Sequence, residues 1–253
     1  MTLEDIYQVE RTKWDALAEQ SLESLRILQA DENFNTYAQR ASTMVGVNDF
    51  LGDIRGKQVL EYGCGLGETA TLLARSGAIV TTFDLSPKSI LVSRHRAKLN
   101  NADSKIKFSV AAGENIPYAN SSFDFIFGRA ILHHLDADIG WSEISRVLKP
   151  GGKAVFVEPM GMNPVLNFVR EYVPYPHKKP RGADIPLSYK DINKWGKGFR
   201  EFWYREIQLL SMLERGLGFG KKLPFLRKLD DFLLKHFPFL RRFCRYVVIY
   251  CIK

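Results

Sequence analysis

The sequence predicts an α/β protein with a doubly wound, mostly parallel sheet that is covered by helices on both faces. Two observations support this prediction. Short apolar runs alternate with segments of helical pattern from about residue 56 to residue 160, and the first apolar run ends in a glycine-rich turn, GCGLG. The chain has 253 residues, of which 45% are apolar and 25% charged, so it can bury an α/β core within one domain.

The first 50 residues are predicted to be helical. Trp14, Leu17, Leu22 and Leu25 form a loose apolar stripe among charged and polar residues. We expect this segment to form a lid that closes over the substrate.

Five apolar runs after the lid are predicted to be strands, namely KQVLEYG, AIVTTFDL, KIKFSVA, FDFIFGRA and KAVFVEP. Helical segments separate most of them. ETATLLARSG ends in Gly77, which is typical of the position after a helix, and Ser86 followed by Pro87 is a typical helix start. Strands that alternate with helices of this length form βαβ units, so the sheet is expected to be mostly parallel.

The chain departs from this alternation after the fifth strand. Residues 159–200 contain six prolines interleaved with tyrosines and are predicted to be an insertion. FREFWYREIQLLSML contains a sixth predicted strand, and RYVVIYCIK is a final one. Between them a basic, apolar helix is predicted at about 223–240, with near-helical spacing of Leu226, Leu229, Leu233, Phe237 and Leu240. The predicted organisation is a single domain, 1–253, with a lid at 1–50, a cofactor-binding core at 55–158, the insertion at 159–200, and C-terminal strands and a basic helix at 201–253.

Basic residues are concentrated near the C-terminal end. The net charge of the chain is +8, and residues 194–253 contain 14 lysines and arginines against 5 aspartates and glutamates. This asymmetry predicts contact with an anionic substrate, an acidic partner or a membrane surface, and the alternative is a solvated basic face without a partner. Peripheral membrane contact through the basic helix is one form of this prediction.

Cysteine content and hydropathy bear on the compartment. Three cysteines, Cys64, Cys244 and Cys251, do not form the pattern of a disulfide framework, which favours a reducing cytoplasm. The N-terminal residues lack the apolar segment of a signal peptide, and no run of about 18 apolar residues occurs that would predict a membrane-spanning helix. No metal site is predicted.

VLEYGCGLG and the aspartate of TTFDLSP predict a cofactor site. Ligands of a doubly wound sheet bind at the carboxyl ends of the strands. Gly63, Gly65 and Gly67 let the backbone approach a ligand closely, and Asp84 at the end of the second strand is placed to accept hydrogen bonds from a ribose diol. Glu68 stands where a dinucleotide fingerprint has its third glycine, and its carboxylate would face the pyrophosphate. The pattern therefore argues against a dinucleotide cofactor.

Four motifs in order resemble the class I S-adenosylmethionine-dependent methyltransferases. They are VLEYGCGLG, FDLSP, ENIPYANSSFDFIFGRAILHHL and VLKPGGKAVFVEP, and together they cover residues 55–160. The resemblance implies a Rossmann-like, seven-stranded sheet with an antiparallel last strand, S-adenosyl-L-methionine as the cofactor and S-adenosyl-L-homocysteine as the product. The motifs are most similar to the branch that includes ubiquinone and menaquinone methyltransferases and many natural-product methyltransferases.

The resemblance also implies the residues that hold the cofactor. The cationic sulfonium and amino groups suit Glu61, the ribose suits Asp84, and Leu85 would pack on the adenine. The complete implied set is Glu61, Gly63, Gly65, Gly67, Asp84, Leu85, Gly113, Glu114, Gly128 and Arg129. The sequence departs from the family at Ala112, where many members have an aspartate that contacts the adenine. The backbone at Gly113 or the side chain of Glu114 is expected to replace that contact, and the alternative for Glu114 is to stabilise the loop.

Candidate residues on the acceptor side are less specific. His133 and His134 follow the fourth strand and are candidate general bases, with capping or packing of that turn as the alternative. The insertion supplies candidate acceptor contacts, namely Tyr172, Tyr175, His177, Arg181 and Tyr189, and its alternative is a loop packed for its own stability.

The acceptor class is predicted by what the sequence lacks. It has no N/D-P-P-Y/F stretch, and no cysteine is placed for 5-methylcytosine chemistry. A small organic acceptor is therefore favoured over nucleic acid, and lipophilic molecules and natural products are among the candidates. The methyl group is expected to move to an O, N or C atom of the acceptor by in-line displacement. The alternatives are an RNA methyltransferase that uses the basic C-terminal region and a non-catalytic, cofactor-binding regulatory protein. The sequence leaves the acceptor atom and the oligomeric state open.

Overall fold

A seven-stranded sheet lies at the centre of the computed structural model, which describes residues 3–173, 185–216 and 224–253. The strands are β1 (Gln58–Tyr62), β2 (Ile79–Asp84), β3 (Ile106–Val110), β4 (Phe123–Arg129), β5 (Leu148–Pro159), β6 (Glu201–Ile207) and β7 (Tyr246–Ile252). Their order across the sheet is β3-β2-β1-β4-β5-β7-β6. β7 runs antiparallel to both of its neighbours, whereas the other pairs are parallel, so six strands share one direction. The predicted fold class, including its antiparallel last strand, is confirmed.

Helices connect the strands and cover the sheet. They are α1 (Leu3–Ser21), α2 (Phe34–Arg40), α3 (Val47–Leu51), α4 (Glu68–Arg75), α5 (Pro87–Leu99), α6 (Ala137–Val147), α7 (Pro164–Tyr172), α8 (Tyr189–Trp195), α9 (Leu213–Gly216) and α10 (Pro224–His236). The start of α5 follows the sequence signal, because the Ser86 hydroxyl accepts from the Ser89 N–H and Pro87 occupies the first turn. Gly77, with a φ of 90°, follows the end of α4 as predicted.

Two hydrophobic clusters lie on opposite faces of the sheet. Neighbouring residues of one strand belong to different clusters: Val59 of β1 packs in the first and Leu60 in the second. This alternation is the two-residue period of a strand that is buried on both faces. The first cluster includes residues of α2, α3, α4 and α5, and the second includes residues of α6 and α8.

The carboxyl ends of the parallel strands meet at one edge of the sheet. Tyr62 and Asp84 end the neighbouring strands β1 and β2 at this edge, and Pro159 ends β5. Because β7 is antiparallel and Tyr246 pairs with Pro159, the segment that precedes β7 also lies at this edge. The insertion and the C-terminal helical segment therefore adjoin the strand ends where ligands of this fold class bind.

The C-terminal helix differs from its prediction. The helix expected at 223–240 is divided into α10 and a 3₁₀ turn, Pro238–Phe243, because Pro238 lacks the N–H that a continued α-helix requires. Leu233 and Leu240 of the predicted stripe pack on the second cluster, but Leu229 is 39% and Phe237 44% exposed. Among the residues that the structure describes, no helix is long and apolar enough to cross a membrane.

Candidate functional site

The glycine turn between β1 and α4 depends on left-handed backbone at three glycines. Gly63, Gly65 and Gly67 have φ values of 77°, 49° and 76°. Gly67 also allows a close helix contact, because a Cβ at this position would lie 2.1 Å from the Ser93 Oγ and 2.7 Å from its Cα. No other residue fits at Gly67 without moving α4 away from α5.

Asp84 at the end of β2 is bonded to this turn. Its carboxylate accepts from the Gly65 N–H at 2.8 Å and from the Ser86 N–H at 3.0 Å. Burial raises the pKa of Asp84, although these two backbone donors oppose that effect. Each carboxylate oxygen has more than one acceptor site, so the carboxylate can accept further bonds from a ligand. Leu85, which follows it, is partly exposed.

Glu61 on β1 is a buried carboxylate with few donors around it. Glu61 is only 3% exposed, and its Oε2 accepts a hydrogen bond from the Thr82 hydroxyl at 3.2 Å. Burial raises the pKa of Glu61 to about 8, against the opposing effects of Thr82 and of the positive charge of Arg129. A cationic ligand group beside Glu61 would favour its ionised form.

The end of β4 combines a packing glycine with a cation. A Cβ at Gly128 would lie 2.5 Å from the Phe156 ring, so this glycine permits β4 and β5 side chains to pack. The guanidinium of Arg129 donates to the Tyr37 hydroxyl and lies 3.4 Å from Glu68 Oε2. Arg129 thereby joins β4 to α2 and to the first turn of α4.

The loop after β3 is held from two directions. The Gly113 carbonyl accepts from the Tyr62 hydroxyl, and Glu114 accepts from the Tyr7 hydroxyl at 2.8 Å and from the Asp136 N–H at 3.0 Å. Burial and the neighbouring carboxylate raise the pKa of Tyr7. Glu114 thus joins this loop to α1 and to the start of α6.

Helix α1 crosses the loops at the carboxyl edge. Arg11 lies 3.4 Å from the Leu85 carbonyl, and Asp15 accepts from the Ser86 hydroxyl. A Cβ added at Gly65 would lie 3.5 Å from the Trp14 ring, so α1 covers the glycine turn as well. The predicted lid segment therefore contacts the turn after β1, the turn after β2 and the loop after β3.

The side chain of His133 is hydrogen-bonded to the buried carboxylate of Glu158 near the end of β5. Its Nδ1 is 2.7 Å from Glu158 Oε2, and the two side chains are 2% and 0% exposed. The other oxygen of Glu158 accepts from the N–H groups of Ile131 and Leu132 at 2.8 and 3.0 Å. An ionised carboxylate only accepts hydrogen bonds, so an ionised Glu158 would favour the tautomer of His133 that carries its proton on Nδ1.

His134 lies beside this pair and faces the lid. The ring centroids of His133 and His134 are 4.0 Å apart, and His134 Nδ1 is 3.6 Å from Glu10 on α1. Glu158 is not among the candidate residues predicted from the sequence. The signal was a carboxylate in the last positions of the apolar run KAVFVEP, where a charged residue needs a partner.

The insertion residues are dispersed. Tyr172 on α7 is 57% exposed. The Tyr189 hydroxyl donates to Glu206 Oε1 on β6 at 2.9 Å, and burial together with this carboxylate raises the pKa of Tyr189. Tyr175, His177 and Arg181 lie outside the described residues. Within the described ranges, no cluster of His, Cys, Asp and Glu has the arrangement of a metal site.

The chain is similar to known methyltransferases. A family model described as a methyltransferase domain matches residues 60–156. Demethylmenaquinone methyltransferase of Tropheryma whipplei is 31% identical over 197 residues, which are 75% of this chain and 79% of the relative. Methyltransferase GfsG of Streptomyces halstedii is 35% identical over 105 residues, which are 41% of this chain and only 38% of GfsG.

A solved structure shares the fold. Geranyl diphosphate C-methyltransferase from Streptomyces coelicolor, determined with Mg²⁺, geranyl diphosphate and S-adenosyl-L-homocysteine, superposes with a TM-score of 0.60. The match covers 86% of this chain and 78% of that one, at 16% identity. At this identity the likeness supports the fold.

Proposed function

We propose that this chain, which belongs to the class I S-adenosylmethionine-dependent methyltransferases, transfers a methyl group to a small, lipophilic organic acceptor. The acceptor proposal is supported by the 31% identical relative that is named for demethylmenaquinone, an organic molecule with an apolar hydrocarbon chain. The acceptor atom is proposed to be O, N or C.

One observation supports the cofactor assignment above all. Two buried carboxylates, Glu61 next to the end of β1 and Asp84 at the end of β2, lie on neighbouring strands beside a turn in which three glycines let the backbone approach a ligand. Glu61 is a suitable partner for the amino or sulfonium cation, because burial raises its pKa and a cation would stabilise its ionised form. Asp84 is proposed to bind the ribose hydroxyls with the acceptor sites that Gly65 and Ser86 leave open.

The bound cofactor supplies an electrophilic methyl group. The residues of this chain would align the acceptor behind that methyl group and exclude water, as in-line displacement requires. α1 covers the cofactor turn and contributes to the exclusion of water. Where the acceptor nucleophile must lose a proton, Nε2 of His133 is proposed to accept it while Glu158 stabilises the resulting imidazolium.

Calorimetry with S-adenosylmethionine tests the cofactor proposal. Asp84→Ala should weaken binding by about 1–3 kcal/mol, which is the usual cost of leaving polar groups without partners. Because Asp84 also holds the glycine turn, Asp84→Asn serves as the matched variant that keeps one acceptor oxygen. Unchanged affinity for S-adenosylmethionine in both variants would show that the ribose does not bind at Asp84. Binding of NAD as tight as that of S-adenosylmethionine would reject the cofactor assignment.

Turnover tests the acceptor proposal. Metabolite extracts incubated with methyl-labelled cofactor should yield a labelled product of low molecular mass that extracts into organic solvent. Label found in RNA would favour an RNA acceptor instead. Binding of the cofactor without formation of S-adenosylhomocysteine with any extract would support a regulatory role.

A further inference from the structure

Three segments at the carboxyl edge of the sheet expose large apolar side chains beside cations. They are α7, the outward face of α10 and the 3₁₀ turn Pro238–Phe243, which together we call the apolar–basic surface. α7 follows the end of β5, and the 3₁₀ turn precedes the start of β7, which pairs with the same end of β5. The surface therefore lies on the side of the molecule where the cofactor turn lies.

Helix α7 has no buried residue. Val165 is 65% and Phe168 59% exposed, values that are unusual for two large apolar side chains on one short helix. The helix is nevertheless firmly placed. Its N-cap, Asn163, is 3% exposed, accepts from the first-turn N–H groups and donates to the Phe243 carbonyl at 2.6 Å. This bond joins α7 to the 3₁₀ turn, so the two exposed segments are neighbours.

Helix α10 exposes a stripe of apolar and basic side chains on the side that faces away from the protein. Lys228, Leu229, Phe232 and Lys235 recur at helical spacing, and all four are exposed, with Phe232 at 54%. The opposite side of the helix is fixed by Asp230, which is 5% exposed and accepts from the N–H groups of residues 209, 210 and 211. The outward direction of the stripe is therefore set by a buried anchor.

The 3₁₀ turn extends the same pattern. Phe239 is 67% exposed, the largest exposed fraction among the aromatic residues of the described chain, and Arg241 and Arg242 in this turn are exposed as well. From 224 to 245 the chain has six lysines and arginines against two aspartates, one of which is the buried Asp230. The exposed apolar side chains of this segment therefore belong to a stretch of the chain with a net positive charge.

We propose that the apolar–basic surface binds the surface of an anionic lipid membrane. Exposed phenylalanine and aliphatic side chains insert into the boundary between headgroups and acyl chains, while lysine and arginine meet the lipid phosphates. Aliphatic side chains such as Val165 and Leu229 gain by burial in lipid but offer no stacking face to a nucleic acid. The mixture of aliphatic, aromatic and cationic side chains thus fits lipid better than RNA. The inference goes beyond methyl transfer, and its test requires no turnover.

Vesicle flotation with the full chain tests the proposal. Vesicles of phosphatidylcholine are compared with vesicles in which about one third of the lipid is phosphatidylglycerol, at low and at physiological ionic strength. The protein should float with the anionic vesicles, bind the neutral ones at least about tenfold more weakly, and lose affinity as salt is raised. Absence of binding to anionic vesicles at low salt would overturn the proposal.

Two double variants locate the binding surface. Phe168→Ser with Phe239→Ser should weaken vesicle binding about tenfold or more, because both side chains are exposed in the free protein and would lose their burial in lipid. The matched control is Ile27→Ser with Leu91→Ser, two residues that are 69% and 66% exposed. Leu91 lies on α5, and the neighbour of Ile27, Leu28, is bonded to Asn100 at the end of α5, which contacts β2 and β3, strands that β1 and β4 separate from β5–β7 in the sheet order. Equal loss in the control would overturn the assignment of the surface.

A further pair of double variants tests the contribution of lysine charges to vesicle binding. Lys228→Glu with Lys235→Glu should reduce binding about tenfold or more and reduce its salt dependence. Lys98→Glu with Lys105→Glu changes the net charge equally at exposed positions on the other side and should bind as the unmodified protein does. Loss of RNA binding in the first variant, without any vesicle binding by the unmodified protein, would replace the membrane by a nucleic acid.

Discussion

Glu61 is the residue whose chemistry the fold alters most clearly. In an unfolded chain this carboxyl has a pKa near 4.5, and burial in β1 raises it to about 8. The folded state therefore holds a proton that the unfolded state releases between these two values. The free energy of unfolding therefore falls as the pH rises from about 4.5 to about 8, because only the unfolded state releases its proton in this range.

The sign of this effect can be measured with one variant. Between about pH 5 and pH 8 the free energy of unfolding of the unmodified protein should fall, relative to Glu61→Gln, by up to about 1.4 kcal/mol per pH unit. Glutamine has no proton to lose, so the variant lacks this contribution. Urea denaturation of both proteins across this pH range gives the difference, and parallel curves would contradict the raised pKa.

His133 and Glu158 are the two residues proposed to act in proton transfer. His133→Gln should lower kcat by about 10²–10⁴-fold with an acceptor whose nucleophile carries a proton, which is the usual contribution of a general base. His134→Gln, on the neighbouring ring, should lower kcat by less than about tenfold. The reverse order would assign the base to His134, and small effects in both would remove general-base catalysis at this position.

The variant Glu158→Gln distinguishes a role of Glu158 in orienting and charging His133 from a purely structural role. The amide oxygen can still accept from the Ile131 and Leu132 N–H groups, but the charge that favours protonated His133 is lost. The acid limb of the pH profile of kcat/KM should therefore move to lower pH. A purely structural role for Glu158 would leave the profile in place and change only thermal stability.

At the scale of elements, a single carboxylate fixes the position of α10. Asp230 accepts four hydrogen bonds, at 2.7–3.1 Å, from three N–H groups and one hydroxyl of the loop after β6. Asp230→Ala should lower the free energy of unfolding by about 3–5 kcal/mol, because it leaves several buried donors without an acceptor.

Asp231, the neighbour of Asp230, supplies the control for this variant. Asp231→Ala removes an exposed ion pair with Arg205, in which the side chains are 64% and 49% exposed, and should cost less than about 1 kcal/mol. Chemical denaturation measures both variants. Equal effects would mean that the buried position of Asp230 does not matter.

Across the whole molecule, the first helix reaches residues that are distant in the chain. The Tyr7–Glu114 bond spans 107 positions, and the Asp15–Ser86 bond spans 71. α1 therefore acts as one cover over several loops of the carboxyl edge, and a ligand in the glycine turn would lie beneath it.

This arrangement predicts slow release of the cofactor. Tyr7→Phe combined with Asp15→Asn removes hydrogen bonds between α1 and the loops, and it should raise the dissociation rate of S-adenosylhomocysteine about five- to tenfold at little change in association rate. Stopped-flow displacement measures both rates. Gln8→Ala on the exposed side of α1 is the control, and equal rates in all three proteins would contradict a covering role for α1.

The sequence alone determined the order of strands and helices, the glycine turn and the position of Asp84. These features are local, because hydrophobic period, caps and glycine φ requirements act within a few residues. The place of Asp84 beside the turn also followed, since adjacent parallel strands bring their ends together. Membership of the methyltransferase family was predicted from motifs in order, and similarity to known proteins confirmed it.

Tertiary structure decided which of these residues meet and which side chains remain exposed. The Glu158–His133 pair, the bonds from α1 to Glu114 and Ser86, and the bonded state of Glu114 all join segments that are separated by 22 to 107 positions. Such contacts depend on strand order and helix placement, which no local pattern specifies. The outward face of α10 is decided in the same way: helical spacing identifies a stripe of apolar residues, but only the buried anchor at Asp230 determines which side of the helix faces the protein.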